Sequence, residues 1–222
     1  LQEITGHFEH SEQSVRIVDK LERDGRGLNL TVQVKDGILQ PLRKLKASTL
    51  EGSLIKYADR IAYLCHDYEE QETMGLISAA ELPEDVKAKI GVTHSSMITA
   101  LVTEVVENSM RTHEDDIHMS KEGDEILLKF RRFMFDEVYM SASLIPDRKR
   151  GSNVVKNALR LLHSKRKKTA PTTKAAFLKN KSSWQKETFP QAAVDYISGL
   201  TDNFAINLFE DIFVPRYWTF KK

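Results

Sequence analysis

From Thr93 to Met110 the sequence THSSMITALVTEVVENSM sets an Ile/Leu/Val stripe at helical spacing over about five turns. A stripe of that length has to be buried against other helices. The same spacing recurs almost everywhere in the chain, and only the short LNLTVQV region alternates in the manner of a strand. These patterns predict an all-α, multi-helix bundle.

Local signals place the helices. Val15, Ile17, Val18 and Leu21 mark a first helix that ends near the glycines of RDGRG. Thr31 is a cap for a short second helix through Ile38 and Leu39. Thr49 begins a long helix with Glu51 in its first turn. Pro83 and Gly91 bracket EDVKAKI. Two further helices are expected at about 122–141 and 151–165, followed by a connector, KRKKTAPTTK. PQAAVDYISGLTDNFAINLFEDIF reads as one closing amphipathic helix, with Pro190 in its first turn. No internal repeat and no sharp compositional break divides the chain.

With 222 residues and 41% hydrophobic composition, one substantial core or two small ones can form without metal or disulfide support. The single cysteine, Cys65, excludes an internal disulfide and sits among apolar helical residues, which suits a reducing cytoplasmic setting. No apolar run approaches the roughly 20 residues that span a bilayer, and no signal-like segment opens the chain. The expected location is the cytoplasm. The chain starts at Leu1 with no cap or turn signal, as part of a larger polypeptide would.

Charge is unevenly placed. Arg148 to Lys186 holds 13 Lys and Arg and no acid, leaving 20 basic against 32 acidic residues elsewhere. Such a block is either a surface for phosphates, nucleic acid or an acidic subunit, or a solvated segment.

The stretch KYADRIAYLCHDYE, residues 56–69, concentrates chemistry. On a helix Asp59, Tyr63 and Asp67 fall at i, i+4 and i+8 and share a face, with Ala58, Ile61, Ala62 and Cys65 packing behind. Asp59 suits a hard or borderline cation, Tyr63 a sugar, and Asp67 hydroxyl donors. The alternative is a solvated or salt-bridged polar face. HEDDIH, His113 to His118, has metal-type residues but matches no ligand motif and reads as an acidic loop. GRGLNL fits neither phosphate-binding glycine fingerprint, so its glycines belong to a turn. Trp184, Trp218, Phe189, Tyr217 and Phe220 read as packing anchors.

The blocks FEHSEQSVRIVDKLE, GRGLNLT with VKDGIL, TLEGSLIKYADRIAYLCHDYE, LKFRRFMFDEVY and VDYISGLTDNFAINLFE occur in this order across most of residues 7–214. Together they resemble the bacterial dGTPase-like members of the HD-domain deoxynucleoside triphosphate triphosphohydrolases. The resemblance implies an HD-domain-like helical bundle, incomplete at its N-terminus, with residues 1–147 belonging to the catalytic helical domain. Residues 148–222 form a basic segment and C-terminal helix on the same domain. It implies hydrolysis of a dNTP, dGTP among them, to deoxynucleoside and tripolyphosphate with a divalent metal, Mg or Mn. On this resemblance Asp59 is a metal ligand, Arg60 faces the phosphates, and Tyr63 and Asp67 recognise the deoxyribose. Arg131 matches a phosphate-binding arginine, whose planar fork suits bidentate contact, and Tyr139 lies near the base.

The family's other ligands, a His and a His-Asp pair, and its catalytic His and Glu lie upstream of the FEH block. No catalytic residue is therefore expected in this chain, which alone should be inactive. His66-Asp67 is not the name-giving pair, and His66 is expected to support the site rather than ligate metal. Relatives of this kind form homo-oligomers and take nucleotide or single-stranded nucleic-acid effectors, for which residues 148–186 are the candidate contact. The alternative function is a catalytically inactive nucleotide-binding or regulatory module.

Overall fold

A computed structural model describes residues 6–39, 47–112, 116–163 and 189–214. Helix α1 (His10–Arg16) runs directly into a π-helical turn, Ile17–Leu21. The chain then reverses through Glu22–Gly25, where Arg23 and Asp24 take left-handed φ values of 51° and 57°. Gly27 completes the reversal at φ 69°, where a Cβ would stand 2.2 Å from the Asp19 carbonyl oxygen. Only glycine fits so close an approach.

Helix α2 (Val32–Leu39) starts as its cap requires, with the Val34 N–H donating to Thr31 Oγ1 at 3.3 Å. LNLTVQV therefore forms no strand: Leu28 to Thr31 are irregular and Val32 to Val34 begin α2. Val32 and Val34 stay exposed, so the alternation buries nothing. Among the described residues no strand forms.

Helix α3 (Leu50–Thr73) is capped by Thr49, whose hydroxyl accepts from the Gly52 N–H at 3.1 Å. Helix α4 (Glu84–Ile90) lies between Pro83 and Gly91, the latter at φ 79°. Helix α5 (His94–Arg111) opens on a capping box in which Thr93 and Ser96 satisfy each other's backbone N–H groups. Helix α6 (Lys121–Phe133) is capped by Ser120 and continues as a π-helical segment, Met134–Tyr139. A 3-10 turn, Ala142–Leu144, leads into α7 (Ile145–His163), which begins earlier than the glycine at 151 suggests.

The C-terminal region is two helices, α8 (Phe189–Ser198) and α9 (Asp202–Phe213), not one. Gly199 is a poor helix former, and the last N–H groups there close short i→i−3 bonds, Gly199 to Tyr196 and Leu200 to Ile197, each at 3.2 Å. Thr201 then adopts an extended conformation and caps α9 through the Phe204 N–H. The connector KRKKTAPTTK and the side chains of Trp184, Phe189, Tyr217, Trp218 and Phe220 lie outside the described residues, as do His113 to Asp115.

The chain divides into two compact units, Thr31–Ile145 and Leu1–Leu30 with Pro146–Lys222. In the first, α3 packs on α5, and α4 packs on α5 and α6. Ile61, Leu64, Cys65 and Tyr68 of α3 fall at i, i+3, i+4 and i+7 and enter the core. Met97, Leu101 and Val105 of α5 meet them, with Leu127, Phe130 and Met134 from α6 and its extension. The core side of α3 differs from the sequence expectation: Ala58 and Ala62 are exposed, and Leu64 and Tyr68 take the buried places. In the second unit Leu21 packs with Ala158, Leu159, Ala192, Ala193 and Ile197. No helix among the described residues is long and apolar enough to cross a membrane.

Candidate functional site

Burial of Leu64 and Tyr68 fixes the rotation of α3, and the opposite side carries Asp59, Tyr63 and Asp67. Asp59 is exposed and makes no hydrogen bond or ion pair with another described residue. Tyr63 is 36% exposed. Asp67 is half-buried, because the π-helical extension of α6 packs against α3 and brings Tyr139 over it. The Tyr139 hydroxyl donates to Asp67 Oδ2 at 2.5 Å.

Four of the sequence candidates thus share one neighbourhood. Burial raises the Tyr139 phenol well above its usual range, and the hydrogen bond to Asp67 and the charges of Asp67 and Tyr63 add to this. Arg131 is near enough to pull in the other direction. Tyr139 is therefore a neutral donor at physiological pH, and its hydroxyl holds one oxygen of Asp67 in place. The second Asp67 oxygen stands 3.9 Å from His66 Nδ1, and that imidazole is largely exposed.

Arg60 keeps different company. Its charge acts on Tyr57 and Asp124, at the start of α6, rather than on Tyr139. Asp124 is half-buried, and burial raises its carboxyl against the lowering effects of Arg60, His118 and Lys56. Sequence reading missed Asp124; its one signal is a place in the first turn after the Ser120 cap, which many solvated acids share. Glu104 accepts from the Ser120 hydroxyl and so braces that cap from α5.

Two groups of described His, Asp and Glu bring ligand atoms within 4.8 Å of one another: His7, Glu9 and Glu12, and His66, Asp67 and Glu70. Neither includes Asp59, so Asp59 offers a divalent cation one hard oxygen donor and needs other ligands beside it. The described part of HEDDIH is held by its backbone: the His118 N–H donates to Ser109 Oγ, and its carbonyl accepts from the same hydroxyl, each at 3.1 Å. Burial of Cys65 pushes its thiol up to about 12, which leaves it a packing residue.

Residues 117–211, which include α6, Arg131 and Tyr139, match the family model described as Phosphohydrolase-associated domain. The chain is 36% identical over 215 residues to a deoxyguanosinetriphosphate triphosphohydrolase-like protein of Caldanaerobacter subterraneus subsp. tengcongensis, covering 97% of this chain and 61% of that protein. Proteins given the same name match from Clostridium tetani at 34% identity, covering 94% of this chain and 60% of the relative, and from Clostridium perfringens at 30%, covering 96% and 63%. By sequence the chain is similar over most of its length to these dGTPase-like proteins. It spans about three fifths of the length of these relatives.

Proposed function

We propose that the full-length protein hydrolyses a deoxynucleoside triphosphate to deoxynucleoside and tripolyphosphate, dGTP being the first substrate to try. The observation that carries this reading is the junction of α3 and the α6 extension, where Tyr139 holds Asp67 beside Tyr63 and Arg131. Asp67, with one oxygen fixed, presents the other to the sugar 3′-hydroxyl. The Tyr63 ring packs beneath C2′, where a ribose hydroxyl has no room. Arg131 offers its guanidinium to the phosphates, and Arg60 adds positive charge from the α3 side.

Asp59 would hold the divalent cation, Mg or Mn, together with ligands from elsewhere in the protein. When bound, the metal supplies Lewis-acid polarisation of the attacked phosphate and a more acidic water. The chain's own residues bind, orient and neutralise charge, and the acid and base chemistry is assigned to other parts of the protein. The basic run 148–186 is kept as a contact for a nucleotide or single-stranded nucleic-acid effector, although 164–188 lie outside the described residues.

The test is product analysis on the full-length protein with Mn or Mg. Release of tripolyphosphate from dGTP, abolished by Asp59→Ala with the fold intact, supports the reading. Release of phosphate or pyrophosphate overturns it. A dNTP-dependent rise in Tm without turnover, lost in Asp67→Ala, instead identifies a nucleotide-binding module.

A further inference from the structure

One turn before Tyr139, the outer side of α6 carries a shallow depression of about 390 Å³ lined by Leu128, Arg131, Arg132, Phe135 and Asp136. These residues fall at i, i+3, i+4, i+7 and i+8, so one helix builds the whole surface. Two features separate it from an ordinary solvated face. The guanidinium of Arg132 has no hydrogen-bond or ion-pair partner among the described residues, and neither has Asp136, although i,i+4 spacing would let the two pair. Leu128 and Phe135, 53% and 50% exposed, set apolar surface beside the cations, and Asp136 is the one acid in the lining. Arg131 belongs both to this depression and to the neighbourhood of Tyr139.

We infer that Arg132 is a second phosphate-binding residue. With Arg131 it forms a two-guanidinium cradle that takes the far end of the polyphosphate chain, while Asp67 and Tyr63 take the sugar. This deepens the reading above and rests on it for the identity of the substrate. Arg131 engages the phosphates nearer the sugar, and the polyphosphate continues around α6 to Arg132, the next residue. Two planar forks one helical step apart suit an elongated polyanion better than a single phosphate. Asp136, at the edge, repels an anion that slides past Arg132. The cradle therefore selects for a triphosphate over a monophosphate.

Calorimetric titration of the metal-free protein with inorganic tripolyphosphate, pyrophosphate and orthophosphate tests this without any turnover. Affinity is expected to rise with chain length. Arg132→Gln should weaken tripolyphosphate binding about fivefold, and Asp136→Asn should strengthen it about twofold. Arg111→Gln, at another exposed position on α5, should change nothing in about 0.15 M salt, where surface charges act over about 8 Å. Equal binding by Arg132→Gln and the parent overturns the proposal, and so does equal loss in Arg111→Gln, which would make the attraction a property of net charge. Tripolyphosphate release by the full-length enzyme unaffected by Arg132→Gln sinks the cradle but leaves the hydrolase standing. Arg132-dependent binding without dNTP hydrolysis does the reverse.

Discussion

Asp195 and Asp67 are both partly or wholly withdrawn from solvent, and their surroundings differ in how much room they leave for a ligand. The Asp195 side chain has no exposure and four donors converge on it: Arg16 donates through Nε at 2.9 Å to Oδ1 and Nη2 at 2.8 Å to Oδ2, and Gln13 and Gln191 each donate to Oδ1 at 3.0 Å. Gln13 also donates to Ser198 Oγ, which ties α1 and α8 together. Asp67 receives one protein hydroxyl and keeps an open side. Asp59, on the same side of α3, and Arg132, on α6, hold no partner among the described residues. A fully buried carboxylate held by four protein donors is closed to a ligand, whereas a half-buried one that keeps an open side, with Tyr63 and Arg131 in its neighbourhood, is not.

Removing the fully buried carboxylate should have the largest effect on stability. Asp195→Ala takes the carboxylate away from the Arg16 guanidinium, 17% exposed, and from Gln13 and Gln191, and should cost about 3–5 kcal/mol in denaturant unfolding. A loss below about 1 kcal/mol would make the clamp an ordinary surface pair. The pH dependence has a definite sign. Burial pushes the Asp195 carboxyl up, but the bonds from Arg16, Gln13 and Gln191 together outweigh it and hold it below its ordinary value. Its stabilisation is therefore complete above the unfolded carboxylate range, near pH 4, and is lost as pH falls through the lower folded value. An acid limb that survives unchanged in Asp195→Asn would assign that limb to other groups.

On the open side the expected effects fall on binding instead. Tyr139→Phe removes the donor to Asp67 while keeping the ring, and the apparent affinity for dNTP should drop about tenfold, or about 1.4 kcal/mol, with little change in Tm. A fall in Tm comparable to that of Asp195→Ala would show the pair to be a structural clamp like the other.

The two sites were not equally legible from sequence. Asp59, Tyr63 and Asp67 are 4 residues apart along one helix, so their shared face follows from helical geometry. Arg131 and Tyr139 came from resemblance, and nothing in spacing alone links Tyr139 to Asp67, 72 residues earlier. Gln13 and Asp195 are separated by 182 residues, and no local pattern marks a glutamine as a buried donor. The caps Thr31 and Thr49 and the bracket of Pro83 and Gly91 were readable because each acts on backbone within a few residues. The closing helix was read as continuous because an amphipathic pattern can cross a break, and the weak helix former Gly199 with the Thr201 cap decided against it.

Tyr68 and Tyr139 sharpen the contrast to single hydroxyls. Tyr68 is one residue beyond Asp67 but faces the core, fully buried, with its ring edge-on to Phe130 at 5.8 Å and 67°. Its hydroxyl has no hydrogen-bond partner among the described residues, and burial, with Glu72 adding to it, pushes the phenol up to about 12. The ring holds α3 in the rotation that turns Asp67 outward, while the oxygen adds a desolvation cost with no bond to offset it. Tyr68→Phe keeps the ring and deletes the cost, so stability should hold or rise by up to about 1 kcal/mol, and dNTP affinity should not move. A loss of more than about 1 kcal/mol would mean that the hydroxyl is satisfied after all, by a buried water among other donors. In that case α3 carries a functional hydrogen bond on its inner face as well as its outer one, and the division between a packed side and a binding side fails at this residue.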